Sequence, residues 1–274
     1  MKVRRWAVAA ILALSGALSR TPLTPAAQAP AAQTLAAQIP AAQTPAAQIR
    51  LAVAANFTLP MKQRIVPAFQ QETGHTVLAT YGPTGGLYAQ IVQGAPFDAL
   101  LAADAERPQQ LEASGLGVAG TRFTFALGKV VLWSATPGLV DANGAVLEKG
   151  NFDHLALPNP KIAPYGRAAR EVLRALVLWD TLEPKVVYGQ DLNQTYQLIA
   201  SGNAALGFVA LSQVKASRPG DPYWLPDAAL HAPIEQQAIL LTRSRDSAAA
   251  RAFLAFLRSP KGRALIESFG YGVE

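Results

Sequence analysis

From Arg50 onward, short apolar runs alternate with amphipathic stretches. Arg50 to Ala54, His75 to Tyr81 and Phe97 to Ala102 have the length and composition of strands. Between the first two, Leu59 to Thr73 reads as a helix. Met61, Ile65, Val66 and Phe69 fall on one face, with Lys62, Arg64, Gln70 and Glu72 opposite. Gly74 stands where a helix C-cap belongs. Gly86 to Gln93, closed by Gly94, and Glu106 to Ser114 read as two more helices. This β-α-β-α order predicts a largely parallel sheet with helices on its faces.

A second run begins at Phe123. Phe123 to Ser134 is strand-like and broken by Gly128-Lys129. His154 to Leu157, Val186 to Gly189 and Ala205 to Ala210 are strands, with helices at Tyr165 to Leu176 and Asn193 to Ser201. After a loop from Pro219 to Pro226 the chain returns through a strand at Gln237 to Thr242 and ends in helices at Asp246 to Leu257 and Ser259 to Gly270. The prediction is an α/β protein of two lobes, with crossings near residues 124–127 and 235–237. Lobe 1 would be residues 50–126 plus 237–274 and lobe 2 residues 127–236, the last helices packing back on lobe 1.

The N-terminus has another character. Lys2, Arg4 and Arg5 precede an apolar run from Trp6 to Leu18, and Ala17 and Ser19 are small residues suited to cleavage. Residues 1–19 therefore read as a secretory signal. Residues 20–49 are low in complexity. Ala-Ala-Gln recurs with its Gln at 28, 33, 38, 43 and 48, punctuated by Pro. They read as a tether that buries no core. Export predicts a periplasmic location.

Charge looks different once this segment is set aside. Lys2, Arg4, Arg5 and Arg20 supply four of the 24 basic residues and residues 1–49 contain no acid, which leaves 20 basic against 18 acidic residues beyond. Most of the basic excess belongs to the signal and tether, and no nucleic-acid partner is implied. The chain has no Cys, and His75, His154 and His231 lack metal-ligand spacing. No nucleophile elbow or Ser-His-Asp set is present. No enzyme chemistry, cofactor or directly ligated metal is expected.

What remains is a set of small-residue loops, each ahead of a predicted helix. These are Ala54-Ala55-Asn56-Phe57, Tyr81-Gly82-Pro83-Thr84-Gly85-Gly86 and Ile162-Ala163-Pro164-Tyr165-Gly166. None carries a charge, and helix N-termini attract anions. The candidate donors are the Asn56 amide, the Thr84 hydroxyl with the Gly85 N–H, and the Tyr165 hydroxyl. Asp191-Leu192-Asn193 makes a fourth loop. Asp191 is a natural N-cap expected to face away, and the Leu192 N–H is the donor. Each loop has an alternative reading: helix capping at Asn56 and Thr84, and packing at Tyr165. Arg167 is the one nearby cation that could clamp a carboxylate.

Joint matches at residues 54–57, 88–96 (Tyr-Ala-Gln-Ile-Val-Gln-Gly-Ala-Pro), 103–104, 123–134, 159–166 (Asn-Pro-Lys-Ile-Ala-Pro-Tyr-Gly) and 206–211 (Leu-Gly-Phe-Val-Ala-Leu) make the chain resemble the periplasmic molybdate-binding proteins of ABC transporters, which are type II periplasmic binding proteins. The resemblance implies two α/β lobes with a two-segment hinge and an interlobe cleft. It further implies a molybdate or tungstate ligand held by neutral donors, transient docking to a membrane permease, and a monomer. Carried onto this chain, the contacts fall on Ala55, Asn56, Thr84, Tyr165 and the backbone of Leu192. Many members have a hydroxyl residue at the position of Ala55, and others have Ser at the positions of Pro83 and Thr84. The alternatives are a binding protein for sulfate or another solute, and an extracytoplasmic enzyme on the same fold.

Overall fold

The computed structural model describes residues 46–245 and 247–273. The expected signal at 1–19 and most of the expected tether lie outside the described residues. The tether ends earlier than expected. The first strand, β1 (Gln48–Ala54), already includes Ile49, which is fully buried.

After β1 the chain makes a short 3-10 turn (Ala55–Phe57) and enters a long helical run. The run comprises α1 (Thr58–Pro60), a π-turn (Met61–Ile65) and α2 (Val66–Thr73). Pro67 lacks the N–H that would continue the ladder, and the π-turn ahead of it absorbs the mismatch. Met61, Ile65 and Phe69 are fully buried, as their spacing predicts. Gly74 closes the helix at φ 72°. There follow β2 (Thr76–Gly82), α3 (Thr84–Val92), β3 (Ala99–Leu101), α4 (Glu106–Ala113), β4 (Phe123–Gly128) and β5 (Val130–Trp133). Next come α5 (Val146–Lys149), β6 (Leu155–Pro158), α6 (Pro164–Ala175), α7 (Trp179–Leu182), β7 (Val186–Gly189), α8 (Leu192–Ala200), β8 (Leu206–Ala210) and α9 (Leu211–Ser217). The chain finishes with β9 (Tyr223–Trp224), β10 (Ile234–Leu240), α10 (Ala248–Arg258) and α11 (Pro260–Glu267).

The strands form two five-stranded sheets of matching design, ordered β2-β1-β3-β10-β4 and β7-β6-β8-β5-β9. In each, four strands run the same way and one, β10 in the first sheet and β5 in the second, runs against them. The sequence places the two crossings inside strands β4 and β10. The structure moves them outward, to Lys129 between β4 and β5, and to the stretch between Trp224 and Ile234. An apolar run serves either sheet equally, so only the Gly128-Lys129 break marks the first crossing. The loop from Pro219 to Pro226 conceals β9, and α9 follows β8 with no breaker to announce it.

One face of the first sheet packs Ile49, Leu51 and Val53 against Phe69, Phe253, Phe256 and Ile266, so the C-terminal helices return to the first lobe. The opposite face packs Ala52 and Leu100 against Leu87, Ile91 and Leu111. The second sheet has its own core around Trp133, Leu155, Val172, Leu173 and Phe208. Each such side chain contributes about 1.5–3 kcal/mol on burial. Two rigid sheets thus hold their strand ends in fixed positions. The C-terminal ends of β1, β2, β6 and β7 lead into the four loops singled out above, where ligands of α/β sheets bind.

Candidate functional site

These four loops meet around one cavity, lined by residues 54–56, 82–84, 103, 163–165, 191 and 192, with a volume of about 10 Å³. That is space on the scale of one water, suited to a small compact species and too small for a sugar or peptide. Ala55, Asn56, Thr84, Tyr165 and Leu192 all line it. Gly85 does not. Its N–H donates to the Ile162 carbonyl at 3.0 Å, so the expected anion donor is a link between the lobes. A Cβ at Gly85 would sit 3.2 Å from the Ile162 backbone, a tight contact that glycine avoids.

Each loop starts a helix or 3-10 turn, and the first turns contain no acid. The first N–H groups of such turns have no partner within the turn. Among the described residues, the N–H groups of Ala55, Asn56, Thr84, Tyr165 and Leu192 make no turn, loop or cap hydrogen bond. Pro164 opens α6 with φ preset for a helix, which places Tyr165 as the first residue with an N–H. Gly166 lets that helix start close against β6, where a Cβ would strike the Pro158 carbonyl. Asp191 lines the cavity but spends its carboxylate on its own helix, Oδ1 accepting the Gln194 N–H at 2.9 Å. The Leu192 N–H therefore remains the donor at this corner.

Thr84 and Tyr165 share a further property. Thr84 is almost fully buried, and its Oγ1 accepts the Ala103 N–H at 3.0 Å. Tyr165 has no exposed surface, and its hydroxyl accepts from Gln236 Nε2 at 3.3 Å and Asn56 Nδ2 at 3.5 Å. A hydroxyl has one proton to give. In both cases the oxygen is satisfied by the protein; the Thr84 proton has no acceptor among the described residues, and the Tyr165 proton has only the neighbouring Tyr271 hydroxyl. Burial, with the neighbouring Tyr271 adding to it, holds the Tyr165 phenol well above its ordinary pKa of 10. Burial likewise pushes Tyr271 up to about 12. Both phenols keep their protons at neutral pH.

Asn56 departs from expectation. It lies inside the 3-10 turn and does not cap it. Its Nδ2 serves the protein, donating to Gln236 Oε1 at 2.7 Å and the Tyr271 hydroxyl at 3.0 Å. Its Oδ1 is the one buried side-chain polar atom without a partner among the described residues. In this arrangement the main-chain N–H of Asn56 is the donor left for a ligand. The supporting residues Gln236, Tyr271 and Ser212 were not singled out from sequence. Ser212 Oγ lies 2.8 Å from the Tyr271 hydroxyl, which donates to the Asn56 carbonyl at 2.9 Å. The polar run Glu235-Gln236-Gln237 inside a strand that is otherwise apolar was the available signal.

Arg167 is already committed. It reaches Asp104 at 3.3 Å and Glu106 at 2.9 Å, and Arg107 contacts the same two acids at 3.0 and 2.6 Å. The Arg167 hydrogen bond holds the Glu106 carboxyl below its ordinary range, whereas burial raises that of Asp104 despite the arginines. Arg167 is thus a tie between the lobes and offers no free clamp for a carboxylate. Asn193 Nδ2 to Thr58 Oγ1, at 3.0 Å, is another tie.

Residues 49–272 match the family described as bacterial extracellular solute-binding protein. The chain is 50% identical over 228 residues to the molybdate-binding protein ModA of Azotobacter vinelandii, covering 82% of this chain and 90% of that protein. It is 48% identical over 223 residues to ModA of Rhodobacter capsulatus, covering 81% and 87%. The solved structure of the Azotobacter vinelandii periplasmic molybdate-binding protein superposes with a TM-score of 0.80 at 40% identity, covering 82% of this chain and 99% of that one.

Proposed function

This chain belongs to the bacterial extracellular solute-binding protein family, among the ModA molybdate-binding proteins, and we propose that it captures molybdate, or tungstate, in its interlobe cavity and delivers it to the membrane permease of an ABC transporter. It is a transport protein and not an enzyme. A secretory leader at residues 1–19 would bring it to the periplasm.

The observation that carries the ligand assignment is the pair of hydroxyl donors on Thr84 and Tyr165, from opposite lobes, beside N–H groups that make no turn, loop or cap hydrogen bond. A tetrahedral dianion can accept at every oxygen. Burial without such bonds would be prohibitive; with them, and with four helix or 3-10 N-termini converging on it, no countercharge is required. Phosphate keeps a proton at neutral pH and would need an acceptor for it. The cage is lined mainly by donors; its side-chain acceptors are Asn56 Oδ1 and the Asp191 carboxylate, whose Oδ1 already accepts the Gln194 N–H. Sulfate has the right charge, so discrimination against it rests on size. An anion that touches Thr84 in one lobe and Tyr165 in the other favours the closed form, with the strands around Lys129 and ahead of Ile234 as the hinge. Ala55 contributes its N–H without a side-chain hydroxyl.

The test is Tyr165→Phe, followed by isothermal titration with molybdate. Loss of one hydrogen bond to a charged ligand should weaken binding by about 1.5–3 kcal/mol. Unchanged affinity would remove Tyr165 from the site.

A further inference from the structure

Behind the cage lies a second layer of amides. Gln236 has no exposed surface and sits on β10, where its register with β4 shifts. Its Nε2 donates to the Tyr165 hydroxyl at 3.3 Å, and its Oε1 accepts from Asn56 Nδ2 at 2.7 Å. A carboxamide has one donating and one accepting end. The end that faces Tyr165 therefore decides whether the phenol receives a hydrogen bond or spends its proton on the protein. With the NH₂ end toward it, the phenolic proton stays available. With the oxygen end toward it, Gln236 would draw that proton and the cage would lose a donor.

The hydrogen-bond network of the structure has the first orientation. The Tyr271 hydroxyl donates to the Asn56 carbonyl at 2.9 Å and accepts from Asn56 Nδ2 at 3.0 Å, with Ser212 Oγ 2.8 Å away. Asn56 thus presents its nitrogen, and that nitrogen meets the oxygen end of Gln236 at 2.7 Å. Gly128 packs so closely that a Cβ there would fall on the Tyr165 hydroxyl and lie 2.9 Å from Gln236 Nε2.

We infer that Gln236 is the positioning residue that sets the donor polarity of the anion cage, acting through Tyr165 without touching the ligand. The inference rests on the oxyanion reading above and names what makes its second lobe a donor.

The experiment is molybdate calorimetry on the wild type, Gln236→Met, Tyr165→Phe and the double variant, with ligand-free melting to verify folding. Gln236→Met should weaken binding by about fivefold or more in the wild-type background and by less than about twofold beside Tyr165→Phe, because interacting groups are not additive. Equal factors in both backgrounds would overturn the inference. Gln236→Glu supplies an independent readout. Its ionised carboxylate only accepts, so it takes the Tyr165 proton and repels the anion. Burial raises its pKa, so binding should recover from about pH 8 toward about pH 5.5 as it protonates. A pH profile parallel to the wild type would contradict the mechanism. If the wild type itself binds no molybdate, the oxyanion reading fails; if it binds and the cycle is additive, only the role of Gln236 fails.

Discussion

Thr84→Val separates what holds the protein from what holds its ligand. Thr84 is almost fully buried, and valine matches it in shape, so no cavity opens. Two bonds are lost. The Ala103 N–H, which donates to Thr84 Oγ1 at 3.0 Å, is left unsatisfied. An orphaned buried donor costs about 1–3 kcal/mol of stability. At about 2–4 °C per kcal/mol for a domain of this size, the ligand-free melting temperature should fall by several degrees. The hydroxyl proton is also lost to the anion. A hydrogen bond to a charged group contributes about 1.5–3 kcal/mol, equivalent to about 10- to 150-fold in Kd. Thr84→Ser keeps the hydroxyl and should restore most of both. Calorimetry with molybdate and thermal denaturation without it read the two losses separately. A valine variant that melts lower but binds within about twofold of the wild type would refute the claim that the Thr84 proton goes to the ligand.

Other consequences follow from the same geometry. Gly128→Ala places a methyl group on the Tyr165 hydroxyl and 2.9 Å from Gln236 Nε2; calorimetry should show affinity down by more than about tenfold, with circular dichroism unchanged, since volume added to a packed site is paid in displaced groups. Arg167→Ala removes a tie whose side chain is one-third exposed, so affinity should fall by no more than about fivefold, the worth of an exposed ion pair. A loss of a hundredfold or more would instead mark Arg167 as a ligand clamp. Because Arg167 holds the Glu106 carboxyl low, their pairing contributes above the ordinary carboxylate range and is lost as pH falls through the depressed value. The difference between Arg167→Ala and wild type should therefore vanish in acid.

Much of this was legible in the chain. Strand and helix rhythms place the elements, and the loops at 54–57, 81–86, 162–166 and 191–193 announce themselves because small neutral residues precede amphipathic helices. What escaped depends on partners distant in sequence. Gly85 reads as a nest residue until Ile162 from the other lobe takes its N–H. The Asn56 amide reads as a ligand donor until Gln236 and Tyr271 claim it across separations of 180 and 215 residues. The crossings were placed inside β4 and β10 because a continuous apolar run carries no mark of which sheet it joins. The helix after β8 went unseen because neither a cap residue nor a glycine precedes Leu211.

The central claim is a cage of donors selective for a fully ionised tetrahedral oxyanion of the right size. Isothermal titration of the purified, ligand-stripped protein with molybdate, tungstate, sulfate and phosphate tests it most directly. The account predicts tight one-to-one binding of molybdate and tungstate, with sulfate far weaker and phosphate absent. Phosphate binding comparable to molybdate, or no binding of any of the four, would contradict it.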